Sequence, residues 1–231
     1  MFARTTARYR GSGRFAHGYV RAKLRRDPVH AALLRLAMVE PFGSILELGC
    51  GRGQLAVALL EAEGAEAVLG LDRNARFLRQ AAQAAAELPF RTERHDLAHP
   101  GALPEADTVV IVDLLYQLET AAQVRLLAGA TRAARIRIVI RTADPDRGLR
   151  SRLTRTLELL SRRAWPHAGA HVNATPIAEL AAVLSDAGFV PEIVPCWQGT
   201  PFANVLMVGH RRASTAACCC SAAISAPPSL S

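Results

Sequence analysis

The hydrophobic positions of this chain form short apolar runs that alternate with longer stretches of helical periodicity. The runs, such as T-V-V-I-V at Thr108–Val112, are apolar at consecutive positions, as is typical of strands covered on both faces. The longer stretches, such as residues 28–39, repeat apolar residues every three or four positions and therefore predict amphipathic helices. Strands that alternate with helices in this way indicate a parallel sheet wrapped by helices.

The end of the chain departs from this alternation. Only residues 197–203 separate the last two apolar runs, too few for a helical crossover, so we expect those two strands to pair antiparallel. The predicted strands are Ser44–Leu48, Ala67–Leu71, Pro89–Glu93, Thr108–Val112, Arg135–Arg141, Phe189–Cys196 and Asn204–His210. The predicted helices are residues 28–39, Gln54–Ala62, Ala75–Glu87, Ala121–Ala133, Arg150–Arg162 and Pro176–Ala187.

The most informative motif follows the first predicted strand, where Ile45–Ala56 reads I-L-E-L-G-C-G-R-G-Q-L-A. Glycine permits a tight turn and lets a ligand approach the backbone, and a strand, a glycine turn and a helix together form a nucleotide-shaped pocket. Dinucleotide-binding loops favour G-x-G-x-x-G, whereas this loop reads E-x-G-x-G-x-G, with Glu47 two residues before the first glycine. The alternative is a glycine-rich turn without a ligand.

Acidic residues also follow the next three predicted strands, at Asp72, Asp96 and Asp113. Ligands of open α/β sheets bind at the carboxyl ends of the strands, so these acids and Glu47 are expected at one edge of the sheet. Asp72 follows the glycine loop by about twenty residues, where a carboxylate can accept hydrogen bonds from two ribose hydroxyls. The alternative for any one of these acids is a helix N-cap.

The acidic glycine motif and the closing pair of strands resemble the class I S-adenosylmethionine (SAM)-dependent methyltransferases. The resemblance implies their fold, a Rossmann-like, doubly wound α/β sheet of seven strands, mostly parallel with the last strand antiparallel, and SAM as the cofactor. It implies that Asp72 binds the ribose, that Asp96 accepts the adenine amino group, and that Glu47 and the loop backbone hold the methionine end. Asp113 would lie near the transferred methyl. The cofactor-binding residues expected from this resemblance are Glu47, Gly49, Cys50, Gly51, Gly53, Asp72, Arg73, Asp96, Leu97 and Asp113.

Two terminal segments, Tyr9–Val29 and Gln198–Leu206, resemble the small methyltransferases of bacterial aryl-polyene and xanthomonadin-type pigment pathways. Together with the glycine loop, this resemblance spans about residues 9–211 and implies an aryl or polyketide-like small-molecule acceptor, which a carrier protein could present. That group commonly has Asp and Gln where this chain has Glu47 and Arg52. Glu keeps the carboxylate, so cofactor binding is not put in doubt.

A base assists methyl transfer to a hydroxyl or an aromatic carbon, and the candidates are His17, His167 and His171. His17 is the first candidate for the catalytic residue, because we interpret its segment, G-R-F-A-H-G-Y-V-R-A-K-L, as a lid helix over the substrate site. Each histidine also has the alternative of an ordinary surface or packing residue. The residues expected on the substrate and lid side are Arg14, Tyr19, Lys23 and Tyr116.

The net charge of +8 is concentrated at the N-terminus, because residues 1–35 hold nine of the 28 Lys and Arg residues and one of the 20 Asp and Glu residues. Such an arm could meet nucleic acid, an anionic carrier protein or an acidic substrate, or simply aid solubility. We therefore predict three parts of the chain. They are residues 1–40, a basic arm with helices that acts as a lid; residues 41–212, the SAM-binding methyltransferase domain; and residues 213–231, a disordered tail of Ala, Ser, Cys and Pro.

Several classes of protein are disfavoured by composition. No apolar run reaches the roughly 20 residues of a membrane helix, and residues 1–26 lack the apolar core of a secretion signal, so we expect a cytoplasmic protein away from membranes. The five cysteines show no zinc-ligand spacing, so no metal is expected. An RNA methyltransferase, a non-catalytic SAM-binding protein and a dehydrogenase remain as alternatives. No N-P-P-Y or D-P-P-Y motif follows the fourth strand, so nucleic acid is not the expected partner, and the oligomeric state is left open.

Overall fold

The helices and strands of the chain follow the predicted alternation. The computed structural model describes residues 1–148, 151, 153, 156 and 173–213. The helices of those residues are α1 (Phe2–Arg8), α2 (Arg14–Arg26), α3 (Pro28–Val39), α4 (Gln54–Glu61), α5 (Ala75–Ala84), α6 (Thr120–Ala133) and α7 (Ile177–Asp186). The strands are β1 (Ser44–Leu48), β2 (Ala67–Asp72), β3 (Phe90–Arg94), β4 (Ala106–Val112), β5 (Ala134–Ala143), β6 (Phe189–Pro195) and β7 (Asn204–Arg211).

The seven strands form one sheet in the order β3-β2-β1-β4-β5-β7-β6. The pairs from β3 to β5 are parallel, and β7 is antiparallel to both β5 and β6. This topology confirms the predicted fold, a doubly wound, mostly parallel sheet with the last strand inserted antiparallel. Each predicted strand is present with ends within two residues of the prediction.

The sheet separates two hydrophobic cores, because alternate residues of a strand point to opposite faces. On one face, α2, α3 and α4 pack through residues such as Val20, Leu33 and Val57. On the other, α6 and α7 pack through residues such as Leu126 and Leu184. The uninterrupted apolar runs of the sequence reflect this burial on both sides.

The connection between β3 and β4 is an exception to the covering by helices, since residues 95–105 contain neither helix nor strand. A cavity of about 500 Å³ lies nearby, lined by residues that include Ser44, Ala67 and Ala106 at the starts of three strands. It is therefore at the amino-terminal edge of the sheet, opposite the glycine loop, and plays no part in the candidate site.

The N-terminal segment packs into the protein. Tyr9 is completely buried, and α2 buries Ala16, Val20 and Leu24. Arg8 Nε and Thr5 Oγ1 both donate to the carboxylate of Glu61 on α4, at 2.7 and 2.6 Å. The predicted role of residues 1–40 as a lid remains a prediction.

Two of the sequence predictions lie almost entirely outside the described residues. They are the helix Arg150–Arg162, of which residues 151, 153 and 156 are described, and the tail 213–231, of which residue 213 is described. Within the described part of the chain, no helix is both long and apolar enough to cross a membrane.

Candidate functional site

The glycine loop is held against the end of β2 by its own backbone. Gly49 N and Cys50 N both donate to Leu71 O, at 2.8 and 3.1 Å, and Gly53 N donates to Cys50 O at 2.8 Å. The loop therefore turns sharply at the carboxyl ends of β1 and β2, the edge where α/β sheets bind ligands.

Gly51 and Gly53 have similar backbone angles but different surroundings. Their φ angles are +55° and +71°, a region that favours glycine. A Cβ on Gly53 would fall 2.4 Å from the Phe90 ring, so this glycine lets α4 pack closely. A Cβ on Gly51 would meet no atom of the described residues within 4 Å, so this glycine faces open space in that part of the chain. The loop thus leaves room at Gly51 for a ligand to reach the backbone.

Asp72 lies at the end of β2, directly beside the loop. Its Oδ2 accepts from Gly51 N at 2.9 Å and its Oδ1 accepts from Asn74 N at 2.8 Å. A carboxylate has further lone pairs, so these two bonds leave acceptor capacity for hydroxyl donors. Asp72, the acid predicted from the sequence to bind the ribose, is therefore in contact with the glycine loop.

Glu47 lies under the loop and is 5 % exposed. Burial and, to a lesser extent, the negative charge of Asp72 raise the pKa of Glu47 to about 8, although a hydrogen bond from the Ala56 backbone opposes them. Among the described residues, Glu47 Oε2 has no hydrogen-bond partner. A buried carboxyl oxygen without a partner is costly and marks a place where a ligand donor fits.

Asp96 and Leu97 follow β3, next to Asp72. The two ends are joined by His95 N, which donates to Asp72 O at 3.0 Å. Leu97 is buried, whereas the Asp96 side chain is 62 % exposed. A hydrogen bond with His99 and another from the Ala98 backbone lower the pKa of Asp96. Asp96 therefore lies at the predicted edge of the sheet, and its carboxylate forms hydrogen bonds with His99 and the Ala98 backbone.

Arg73 lies between Asp72 and the start of α5, and its carbonyl oxygen accepts from Arg94 Nε at 3.2 Å. Cys50 of the loop is buried, with its sulfur beside Gly70 of β2, where a Cβ would come within 2.7 Å of it. Both predicted cofactor residues therefore lie along the β1–β2 side of the site.

Asp113 directly follows β4 and has a φ of +57°, an uncommon angle for a residue other than glycine. Its carboxylate forms ion pairs with Arg141 and with Lys23 Nζ, the latter at 3.2 Å. Gln117 donates to its carbonyl oxygen. Asp113 thus lies at the predicted edge of the sheet, but its carboxylate is already paired with Lys23 and Arg141.

These contacts belong to a partly buried ionic cluster of Lys23, Asp27, Asp113 and Arg141, in which only Arg141 is fully buried. Lys23 Nζ lies 2.7 Å from Asp27 Oδ2, and Arg141 reaches Asp27 Oδ1 at 3.2 Å. Burial alone would raise the pKa of Asp27, but the charges of Arg141 and Lys23 outweigh it and lower the pKa to about 2. With two cations and two anions, the cluster ties α2 and α3 to the ends of β4 and β5.

His30 on α3 lies beside this cluster. Burial lowers the pKa of His30 to about 4, although the Asp27 charge opposes it, so the imidazole is neutral at pH 7. Its Nδ1 has no hydrogen-bond partner among the described residues. His30 could not be selected as a site residue from the sequence, because a histidine on an apolar helix face carries no signal that separates packing from function.

The lid-side residues lie on α2, which borders the glycine loop. Arg52 of the loop stacks on Tyr19 and Phe77, with its guanidinium carbon 4.5 and 4.0 Å from the ring centroids. Its Nε donates to Gln80 at 3.0 Å, and its carbonyl oxygen accepts from the buried Tyr9 hydroxyl at 2.7 Å. The glycine loop is therefore clamped between the N-terminal segment and α5.

The remaining predicted residues differ in their burial and in whether the structure describes them. Arg14 is exposed and His17 half-buried on α2, and Tyr116 is buried after β4, where its carbonyl oxygen accepts from Asn173 N at 2.9 Å. His167 and His171 lie outside the described residues. Within the described residues, no cluster of His, Cys, Asp and Glu could hold a metal ion.

Other residues of the site were missed by the sequence analysis. Tyr9, Asp27 and Arg141 meet the site from positions far apart in the chain, and Asp27 is 114 residues from Arg141. The one available signal was the place of Asp27 before Pro28, which is typical of a helix N-cap; its side chain does accept from Val29 N at 3.2 Å.

The comparisons with known proteins agree with this geometry. A family model described as a methyltransferase domain matches residues 45–136 of the chain. That segment holds the glycine loop and the four acids at the carboxyl edge of the sheet. No curated protein matches the chain by sequence.

Three solved structures illustrate the likeness of the methyltransferase fold. Magnesium protoporphyrin IX methyltransferase from Synechocystis PCC 6803, with bound SAH, has a TM-score of 0.64 at 19% identity, covering 89% of this chain and 94% of its own. An O-methyltransferase family protein from Burkholderia thailandensis has a TM-score of 0.68 at 16% identity, covering 84% of this chain and 57% of its own. N-methyltransferase NodS from Bradyrhizobium japonicum WM9, in complex with SAH, has a TM-score of 0.58 at 19% identity, covering 82% and 90%. At such identities the likeness establishes the fold and leaves the acceptor open.

Proposed function

We propose that this protein transfers a methyl group from SAM to a small-molecule acceptor. The observation that carries the proposal is a buried acid with one unpartnered oxygen, Glu47, near an open glycine, Gly51, beside the Asp72 carboxylate. The methyltransferase domain over residues 45–136 contains all three. The solved structures with bound SAM or SAH support the same cofactor.

The residues present fit SAM. Glu47 and the loop at Gly51 would hold the methionine part, Asp72 the ribose hydroxyls, and Asp96 with Leu97 the adenine. When bound, SAM supplies an electrophilic methyl group on a positively charged sulfur. The protein's own contribution is to orient that methyl and the acceptor and to exclude water, which is the main requirement of such a displacement.

The acceptor side is the edge formed by α2, Tyr116 and the ends of β4 and β5. We assign His17, on α2, as the candidate base for an acceptor that must lose a proton. The exposed arginines of the same helix, Arg14, Arg21 and Arg25, favour an acidic acceptor or one tethered to an acidic carrier. An aryl or polyketide-like acceptor, and a cytoplasmic place of reaction, are parts of this proposal.

A binding experiment with Asp72→Ala tests the cofactor site. Calorimetry with SAM should show affinity reduced about 100-fold or more, because charged hydrogen bonds to two hydroxyls are each worth about 1.5–3 kcal/mol. Glu66→Ala is the matched control, since Glu66 is an exposed acid at the other end of β2. Melting temperatures of both variants separate lost binding from lost folding. Unchanged SAM affinity in a folded Asp72→Ala protein would exclude the assigned ribose site.

Turnover distinguishes an enzyme from a non-catalytic SAM-binding protein. Wild-type protein, given SAM with a radiolabelled methyl group and a small-molecule extract of cells lacking its gene, should label a small molecule. Binding of SAM without labelling of any acceptor in that extract would favour the non-catalytic alternative.

A further inference from the structure

Glu47 is buried without a compensating charge. Its side chain lies under the glycine loop with Oε2 unpartnered, and the charged neighbour that acts on it, Asp72, has the same sign. A carboxylate in such a place is unfavourable, and taking up a proton removes the unpaired charge. Burial and Asp72 accordingly raise the pKa of Glu47 to about 8.

The other titratable groups that face Glu47 cannot supply a positive charge. Among the described residues they are Tyr9 from the N-terminal segment and Cys50 from the loop. Burial and the Glu47 charge raise the pKa of both groups well above neutral, so both are uncharged at pH 7. The Tyr9 hydroxyl donates to Arg52 O at 2.7 Å, so its proton is committed elsewhere.

We propose that Glu47 is protonated in the ligand-free protein and releases its proton when the ammonium group of the cofactor's methionine part binds. The Glu47 O–H bond breaks, the proton passes to the solvent buffer, and the carboxylate pairs with the ammonium group. The inference rests on the proposed function, because it needs a ligand of the SAM type. It adds that cofactor binding is linked to pH by one named group of the protein.

The linkage has a definite direction. At pH 7 roughly nine in ten ligand-free molecules hold the proton, if the pKa is about 8. Binding therefore becomes tighter as the pH rises toward 8, by up to about tenfold per pH unit where the proton is fully exchanged, and weakens again above about pH 8, where the ligand's own ammonium group loses its proton.

Calorimetry in buffers of different ionisation enthalpy measures the number of protons released. The probe is S-adenosylhomocysteine, which carries the same ammonium group and is not consumed. At pH 7 its binding to the wild-type protein should release about 0.9 proton, since Glu47 starts mostly protonated and the ligand amine is already mostly charged. The Glu47→Gln variant, which has an uncharged side chain of the same shape, should release almost none. 5′-Methylthioadenosine, which lacks the amino-acid part, should release almost none from the wild-type protein.

The outcomes separate this inference from the proposed function. Binding of S-adenosylhomocysteine without proton release would overturn the role of Glu47 and leave the cofactor site standing. Equal release from wild-type and Glu47→Gln proteins would place the proton on another group and also overturn it. Absence of any binding would overturn both. The methylthioadenosine comparison uses wild-type protein, so the test holds even if the variant folds poorly.

Discussion

At the scale of single residues, the properties of the site depend on the surroundings of each side chain and, at the glycines, on the space around the backbone. The acids and glycines could be predicted from the sequence, because their spacing along one loop and at successive strand ends is local information. Glu47 shows what could not be predicted, since its pKa depends on burial by residues from α4 and the N-terminal segment. The same holds for Gly51 and Gly53, which are alike in sequence but differ in their surroundings.

These two glycines make a matched pair for separating folding from binding. Gly53→Ala should lower the free energy of unfolding by about 3 kcal/mol, from the positive φ and the clash with Phe90. Gly51→Ala should cost only about 1–2 kcal/mol, since its Cβ enters open space, but should weaken SAM binding at least about tenfold by filling the proposed ligand space. Urea unfolding and calorimetry measure the two effects. Wild-type SAM affinity in Gly51→Ala would show that the open space is not the ligand space.

At the scale of elements, the periodicity of the sequence predicted the strands well and the partners of their polar residues poorly. Arg135, Arg137 and Arg141 all lie on β5, yet Arg135 is half-exposed whereas the other two are buried. Apolar runs report burial directly, so strand positions follow from them. The burial of an arginine depends on an acid brought from elsewhere, and Asp27 approaches Arg141 only once α3 has packed on the sheet.

The ionic cluster predicts that two arginines of one strand differ in their contribution to stability. Arg141→Met leaves the partly buried Asp27 and Asp113 with Lys23 as their shared cation, so the free energy of unfolding should fall by about 3 kcal/mol at pH 7. Arg135→Met removes a surface ion pair with Asp107 and should cost less than about 1 kcal/mol. Urea denaturation measures both losses, and equal losses would contradict the role of the cluster.

The pH dependence of the same variants gives a second measurement. The folded-state pKa of Asp27, about 2, lies below its usual value of 3.8, so its contribution to stability is present above pH 4 and is lost as the pH falls toward 2. Arg141→Met removes a main cause of that low pKa and should therefore flatten the loss of stability in this range. Arg135→Met should leave the Asp27 part of the curve as in the wild-type protein.

At the scale of the whole molecule, the N-terminal segment joins the sheet and the glycine loop into one packed unit. Its positive charge is as typical of a solvated arm as of a lid, because composition shows the many arginines but does not show which side of the segment is buried. The structure shows both, with Arg4 and Arg10 exposed and Tyr9 completely buried between them in sequence. Closing over the site would therefore have to involve α2 while Tyr9 stays in the core.

Deleting residues 1–13 should separate these two interpretations. Loss of Tyr9 and of the Arg8–Glu61 ion pair should cost about 4 kcal/mol, as for truncation of a buried aromatic residue, and lower the melting temperature by about 8–16 °C. The deletion removes three arginines, Arg4, Arg8 and Arg10. A charge-matched control, Arg4→Gln/Arg10→Gln/Arg14→Gln, also removes three arginines, all of them exposed, and leaves Tyr9 in place. Exposed substitutions are usually within about 0.5 kcal/mol each, so this control should melt close to the wild-type protein. If the deletion variant and the control had the same melting temperature, the segment would be a solvated arm. The contact of Tyr9 with Arg52 of the glycine loop would then contribute nothing to the stability of the fold.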